Sequence, residues 1–146
     1  MRLVVVSNRL PFTVSLREGT PHFADSPGGL TSGLGSYLHR ASTRPTQPLE
    51  FLWVGWPGMS VAPRDQPAVR DYGQKTFNAS PVFLPEESME GFYQGFCNRT
   101  LWPLFHYFPS LIRYEEDYWD EYKRVNGVFM RLAPLWMEWK PGGWKG

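Results

Sequence analysis

Arg2-Leu3-Val4-Val5-Val6-Ser7-Asn8-Arg9 is the stretch whose reading decides the fold. An unbroken β-branched run reads as a buried first strand of an α/β sheet, and Ser7-Asn8-Arg9 as a polar turn at its carboxyl end. Ligands of open α/β sheets bind outside the carboxyl ends of the strands, so Arg9 stands where a site would lie. Its guanidinium is a planar fork suited to phosphate. A surface arginine capping a turn explains the position equally well. Phe51-Leu52-Trp53-Val54-Gly55-Trp56 reads as a second buried strand, stopped by Pro57-Gly58. If the two strands run parallel, Trp56 falls on the same rim as Arg9.

Between these strands, residues 11–27 read as a long loop holding a hairpin around Arg17-Glu18-Gly19-Thr20. Gly28-Gly29-Leu30-Thr31-Ser32-Gly33-Leu34 then opens a helix through His39. Two glycines ahead of a helix let backbone amides approach an anion at its positive end. A plain turn is the commoner meaning of such a pair, and the spacing is not that of a dinucleotide fingerprint. Residues 40–48 form an exposed connection and residues 59–73 a loop or short helix. The alternation at Phe77, Ala79, Val82 and Leu84 predicts a third strand over 74–84. Pro85-Glu86-Glu87-Ser88 opens a helix carrying Met89, Phe92, Tyr93 and Phe96, which breaks near Asn98, with a fresh start or kink at Pro103. From Asp117, Trp119, Tyr122, Val125, Val128, Phe129 and Leu132 recur at helical spacing, predicting an amphipathic helix that ends around Pro134. Residues 136–146 show no period.

The segment Tyr93 to Tyr107 gathers tyrosine, tryptophan, phenylalanine and histidine around one Asn98-Arg99-Thr100 turn. Rings that are apolar in body and hydrogen-bonding at the edge suit a wall facing a sugar. An aromatic core with its polar tips bonded to backbone accounts for the same residues slightly better.

At 146 residues the chain suffices for one domain with a real core but not for two. A net charge of +1 gives no reason to expect nucleic acid or an anionic membrane as partner. A single cysteine, Cys97, excludes an internal disulfide framework and fits a reducing compartment. No apolar run approaches the roughly 18 residues of a membrane span, and the N-terminus does not read as a signal peptide, so a cytoplasmic location is expected. His22, His39, His106 and Cys97 show no metal-ligand spacing. No Ser-His-Asp order has local support, and the acids at 115–121 lie on what reads as a solvated helix face. The residues alone describe a half-site for a phosphorylated, sugar-like ligand, with no evident nucleophile or base.

Ser7-Asn8-Arg9-Leu10-Pro11, Gly28-Gly29-Leu30 with Ser32-Gly33-Leu34, Trp53-Val54-Gly55-Trp56-Pro57-Gly58, Tyr93 through Tyr107, and Trp119-x-x-Tyr122-x-x-Val125-Asn126 stand in the order seen in trehalose-6-phosphate synthases. The resemblance covers about residues 1–135. It implies an incomplete Rossmann-like N-terminal domain of a GT-B glycosyltransferase, with parallel strands, helices on the faces, long loops, and an unmatched tail at 136–146. It further implies transfer of glucose from UDP-glucose to glucose-6-phosphate with retention, giving trehalose-6-phosphate and UDP. By the same resemblance Arg9 and Tyr93 grip the acceptor phosphate, while Trp102 and Trp56 line the acceptor sugar. Gly28 and Gly29 bring backbone amides to UDP-glucose, with no cofactor and no metal. The family's next element, a strand leading into a His-Asp-Tyr-His segment, has no counterpart, nor has its second domain. The isolated chain is therefore expected to be inactive, with an open sheet edge that favours oligomers. Two other readings stand beside this one: a glucosylglycerol-phosphate synthase of the same family, and a non-catalytic remnant that binds a sugar phosphate.

Overall fold

A computed structural model describes residues 2–137, without the side chains of residue 30 and of residues 133–137. The tail expected at 136–146 lies, from residue 138 on, outside the described residues. Residues 2–83 and Leu84–Pro134 form two compact units.

In the first unit, β1 (Arg2–Arg9), β4 (Glu50–Trp56) and β5 (Ala79–Pro81) form a parallel sheet in the order β1-β4-β5. Val4 pairs with Leu52 and Val5 with Trp53, and after an irregularity between Val6 and Arg9 the register resumes at Arg9 and Trp56. The expected parallel α/β sheet is therefore present. β4 is its centre: Phe51 through Trp56 are all buried, as a strand paired on both edges and covered on both faces must be.

The first strand corrects the sequence reading. It continues through the expected polar turn to Arg9, and it is not buried on both faces, since Val4 and Val6 remain 38% and 54% exposed. Among the described residues β1 is an edge strand, and only its alternate side chains Leu3 and Val5 join the core.

The loop at 11–27 is almost wholly the hairpin, β2 (Phe12–Arg17) and β3 (Thr20–Asp25). Its two turn residues, Glu18 (φ 50) and Gly19 (φ 76), are both left-handed. That geometry matches the twist of a two-residue hairpin. The hairpin docks through Phe12, which is fully buried and stacks on Phe77 with centroids 5.5 Å apart. Phe23 lies flat on Tyr72 at 3.9 Å. Those partners belong to α2 (Gln66–Phe77), and α1 (Gly29–Ser42) adds Leu38 and Ala41 to the same core. Here the reading of a strand over 74–84 fails. Residues up to Phe77 are helical, Asn78 ends the helix in a left-handed turn (φ 49), and only Ala79–Pro81 pair with β4. The alternation at 77, 79, 82 and 84 came from a helix end, a short strand and a loop that share one apolar side.

The second unit opens with α3 (Glu86–Met89), which runs into a π-helix, Glu90–Leu101, and then α4 (Trp102–Phe105). No break occurs at Asn98. The wider π turn keeps Phe92, Phe96 and Thr100, each four residues apart, on the buried side. Pro103 sits within this continuous helical run, and the Arg99 carbonyl four residues before it accepts the Arg113 N–H instead, at 2.8 Å. α5 (Glu116–Met137) follows a 3₁₀ turn at Pro109–Leu111 and runs past Pro134, where the sequence reading ended it. Phe92 stacks on Tyr122 at 5.6 Å, and Phe96 packs tilted against it at 4.7 Å. Gly91 and Gly95 permit this approach, since a Cβ there would lie 2.8 Å from Glu121 and 2.7 Å from the Tyr118 ring. The guanidinium of Arg124 donates to both carboxylate oxygens of Glu121 and to the buried hydroxyl of Ser88.

That hydrogen bond from Arg124 holds the Glu121 carboxyl below its ordinary range, against an opposing effect of burial. A carboxyl lowered in the folded state contributes stability that is present above its unfolded pKa and is lost as pH falls through the folded value. Glu121→Gln should accordingly lower the melting temperature at neutral pH. The gap to the parent chain should shrink as pH drops below the ordinary carboxylate range, which thermal melts across pH would measure.

Candidate functional site

The carboxyl rim of the parallel sheet is built by a close crossing. At Gly55 a Cβ would meet the Ser7 carbonyl oxygen at 2.9 Å and the backbone of Arg9 and Leu10 at 3.0 Å. Only a glycine allows the end of β1 to lie this close to β4. Three hydrogen bonds fasten the crossing. The Leu10 N–H donates to the Trp56 carbonyl at 2.9 Å, the Trp53 indole N–H to Ser7 Oγ at 2.8 Å, and the Ser7 hydroxyl to the Arg9 carbonyl at 2.6 Å.

Arg9 and Trp56, expected on one rim, are register partners there. The guanidinium carbon of Arg9 stands 5.7 Å from the centroid of the Trp56 indole, within cation–π range. Trp56 is 6% exposed, so it forms the floor of the rim more than its wall. Its indole N–H and both polar atoms of the Asn8 carboxamide are buried with no hydrogen-bond partner. Buried polar groups are nearly always paired, so three such atoms at one rim suit a polar ligand. Sequence reasoning gave Asn8 no role; its only signal was its place between Ser7 and Arg9 in a turn at a strand end.

Gly28 and Gly29 lie at the start of α1, both exposed. Gly28 adopts φ 148, a conformation open to glycine alone, while a Cβ on Gly29 would meet nothing within 4 Å. The first turn of α1 holds no acidic residue and no side-chain cap, and this leaves its amide groups to solvent or to an anion. Thr31 supports the turn, its hydroxyl near the carbonyls of Gly28 (2.9 Å) and Ser26 (3.0 Å).

Tyr93 and Trp102 belong to the second unit. Tyr93 is half-buried in the π-helix. Trp102 is 49% exposed, stacked on His106 with centroids 4.2 Å apart and on Phe108 at 6.1 Å. Beyond it Phe105 (72%) and Tyr107 (91%) are exposed, the latter with a left-handed backbone (φ 60). Phe92 and Phe96 are core, as the packing reading of this segment held, whereas the rings from Trp102 onward face solvent. Cys97 is half-buried, and burial pushes its thiol up to about 11, so it is a poor nucleophile. Among the described residues no three His, Cys, Asp or Glu side chains gather into a metal-ligand cluster, and no helix is long and apolar enough to cross a membrane.

A parallel sheet with a guanidinium-and-indole rim, beside a glycine-opened helix, defines a Rossmann-like α/β protein. The profile of Glycosyltransferase family 20 matches residues 1–133, and the chain belongs to that family. It is 42% identical over 133 residues to alpha,alpha-trehalose-phosphate synthase [UDP-forming] 1 of Aspergillus niger, covering 90% of this chain and 24% of that one. To the corresponding synthase of Schizosaccharomyces pombe it is 41% identical over 129 residues, 88% of this chain and 24% of that one. A crystal structure of an alpha,alpha-trehalose-phosphate synthase (UDP-forming) from Burkholderia xenovorans superposes with a TM-score of 0.62 at 26% identity, over 92% of this chain and 26% of that one. The trehalose-6-phosphate synthase of E. coli gives 0.57 at 31% identity, over 92% and 25%. The chain thus spans about a quarter of the length of the relatives it matches.

The two glycines make opposite demands. Gly28→Ala should lower stability by about 1–3 kcal/mol in denaturant titrations, whereas Gly29→Ala should leave it unchanged or slightly raised. Gly55→Ala should cost about 1–3 kcal/mol in the same titrations, because the neighbours it meets are backbone atoms that must move.

Proposed function

We propose that this chain carries the acceptor side of a UDP-forming trehalose-phosphate synthase, which transfers glucose from UDP-glucose to glucose-6-phosphate with retention of configuration. The observation that carries the reading is the Arg9–Trp56 rim: a guanidinium over an indole, beside buried polar atoms that lack partners. A phosphate matches the fork of Arg9, and sugar hydroxyls match the Asn8 carboxamide and the Trp56 indole N–H. Family membership supports the same reaction, and the Burkholderia xenovorans relative was crystallised in complex with glucose-6-phosphate.

Tyr93 and Trp102, in the second unit, are the acceptor-phosphate and acceptor-sugar residues that the family resemblance implies. The α1 amides beyond Gly28 and Gly29 would face the diphosphate of UDP-glucose, the donor class represented by UDP-2-fluoro glucose in the E. coli relative. The rim cation in this reading is the Arg9 guanidinium rather than a metal ion. These residues bind and orient; holding two substrates in register is itself a large share of the rate in such transfers. The cytoplasm, where sugar phosphates and nucleotide sugars are held, is the proposed location.

Isothermal titration of the chain with glucose-6-phosphate should show saturable binding, weakened about tenfold or more in Arg9→Ala because a charged hydrogen-bonding partner is lost. Tighter binding of glycerol-3-phosphate than of glucose-6-phosphate would instead favour glucosylglycerol-phosphate synthesis. The chain by itself should release no UDP from UDP-glucose and glucose-6-phosphate. Measurable turnover by the purified chain would overturn its assignment as an acceptor half-site.

A further inference from the structure

The first unit contains a second concavity, whose lining includes neither Arg9, Trp56 and Asn8 nor the glycine pair; Trp53 alone belongs both to it and to the rim crossing. It is a groove of roughly 390 Å³ between one face of α1, the end of β3 and the C-terminal end of α2. That volume lies within the range of small-molecule sites. Its floor is apolar, from Phe51, Trp53 and Phe77, while its sides carry hydroxyl groups from both helices, with Thr31, Ser36 and Ser42 from α1 and Thr76 from α2. Asp25 is its one acidic lining residue and His39 its one imidazole, and no lysine or arginine lines it.

Ser26 supplies the decisive detail. It lines the groove, is only 6% exposed, and its hydroxyl has no hydrogen-bond partner. Its backbone is pinned, the N–H donating to the Pro11 carbonyl at 2.8 Å and the carbonyl accepting the Thr31 hydroxyl at 3.0 Å. The side chain is therefore held at the groove by bonds that its own hydroxyl does not share. Burying a hydroxyl without a partner is unfavourable, and a ligand hydroxyl at this point removes that cost.

We propose that this groove binds a neutral polyol of monosaccharide size. The lone Asp25 carboxylate accepts hydrogen bonds from polyol hydroxyls and repels phosphates and carboxylates. The serine and threonine hydroxyls donate or accept as the ligand requires, and the apolar floor takes its C–H surface. The two sites of the unit thus sort ligands by charge: the rim takes the phosphorylated sugar and the groove the unphosphorylated one. Because the Thr31 hydroxyl lies within donating reach of both the Ser26 and Gly28 carbonyls, an occupied groove also braces the turn that opens α1.

The test is an amide NMR titration of the 146-residue chain with D-glucose, with inorganic phosphate in a parallel titration. Saturable glucose-dependent shifts are expected at Ser26, Thr31, Ser36 and Asn78, with Arg9 and Trp56 unmoved and no response to phosphate at the groove. Ser36→Phe and Thr76→Phe, both at exposed positions on the groove wall, should each weaken glucose binding about tenfold or more and leave glucose-6-phosphate binding at the rim intact. Ser26→Ala should weaken it about threefold to tenfold, the value of one hydrogen bond. Non-saturating shifts spread over the surface would overturn the proposal. So would shifts centred on Trp56, phosphate competing at the groove amides, or undiminished binding in both phenylalanine variants. Each of these outcomes leaves the assignment of the Arg9 rim standing on its own test.

Discussion

The contact on which the first unit depends is the passage of the β1 backbone across Gly55. With no Cβ in the way, the Ser7–Leu10 segment comes within about 3 Å of where a side-chain carbon would be, and three hydrogen bonds lock it there. That passage sets the register in which Arg9 faces Trp56, and it delivers the chain into the hairpin at Phe12. The hairpin in turn buries Phe12 against Tyr72 and Phe77, so the same crossing supports both the rim chemistry and the core. A glycine inside a buried strand forfeits packing and backbone entropy. Here the loss is offset by an approach that no other residue allows.

The second unit solves a different packing problem by a related device. Gly91 and Gly95, four residues apart on the π-helix, face the α5 side chains Glu121 and Tyr118 at distances no Cβ would tolerate. The closeness lets Phe92 and Phe96 reach Tyr122 and Trp119, and it leaves the following aromatics, Trp102 to Phe108, without a place in that core. The cluster that looked like one aromatic block is thus two. One half holds the helices together, and the other half shows its rings to solvent, where Trp102 is steadied by stacking on His106 and Phe108.

Taken with membership of Glycosyltransferase family 20, the rim gives this quarter-length chain a coherent chemical character. It offers one guanidinium, one indole, an unpaired carboxamide and a helix start without acids, all groups that bind and orient. Among the described residues no metal-ligand cluster accompanies them, and burial raises the pKa of the one thiol. Under the function proposed above, these groups bind and orient, and positioning of that kind lowers a transfer barrier.

The sequence by itself determined the α/β class, the two principal strands, the hairpin and its turn, the α1 opening at Gly28 and the shared rim of Arg9 and Trp56. These follow from local composition: β-branched runs, Glu18-Gly19 and Gly28-Gly29 turns, and the rule that strand ends carry sites. It misjudged β1 as buried, placed a strand on the end of α2 and broke a helix at Asn98, because each answer depends on what packs alongside. Val4 and Val6 look like core until the sheet order leaves β1 at an edge. Gln74 to Phe77 look strand-like until Tyr72 and Phe77 are seen to need one helical face for Phe12. Only the tertiary structure decided that Asn8 and Ser26 keep buried polar atoms without partners. Pairing is a property of space, and the chain's order does not record it.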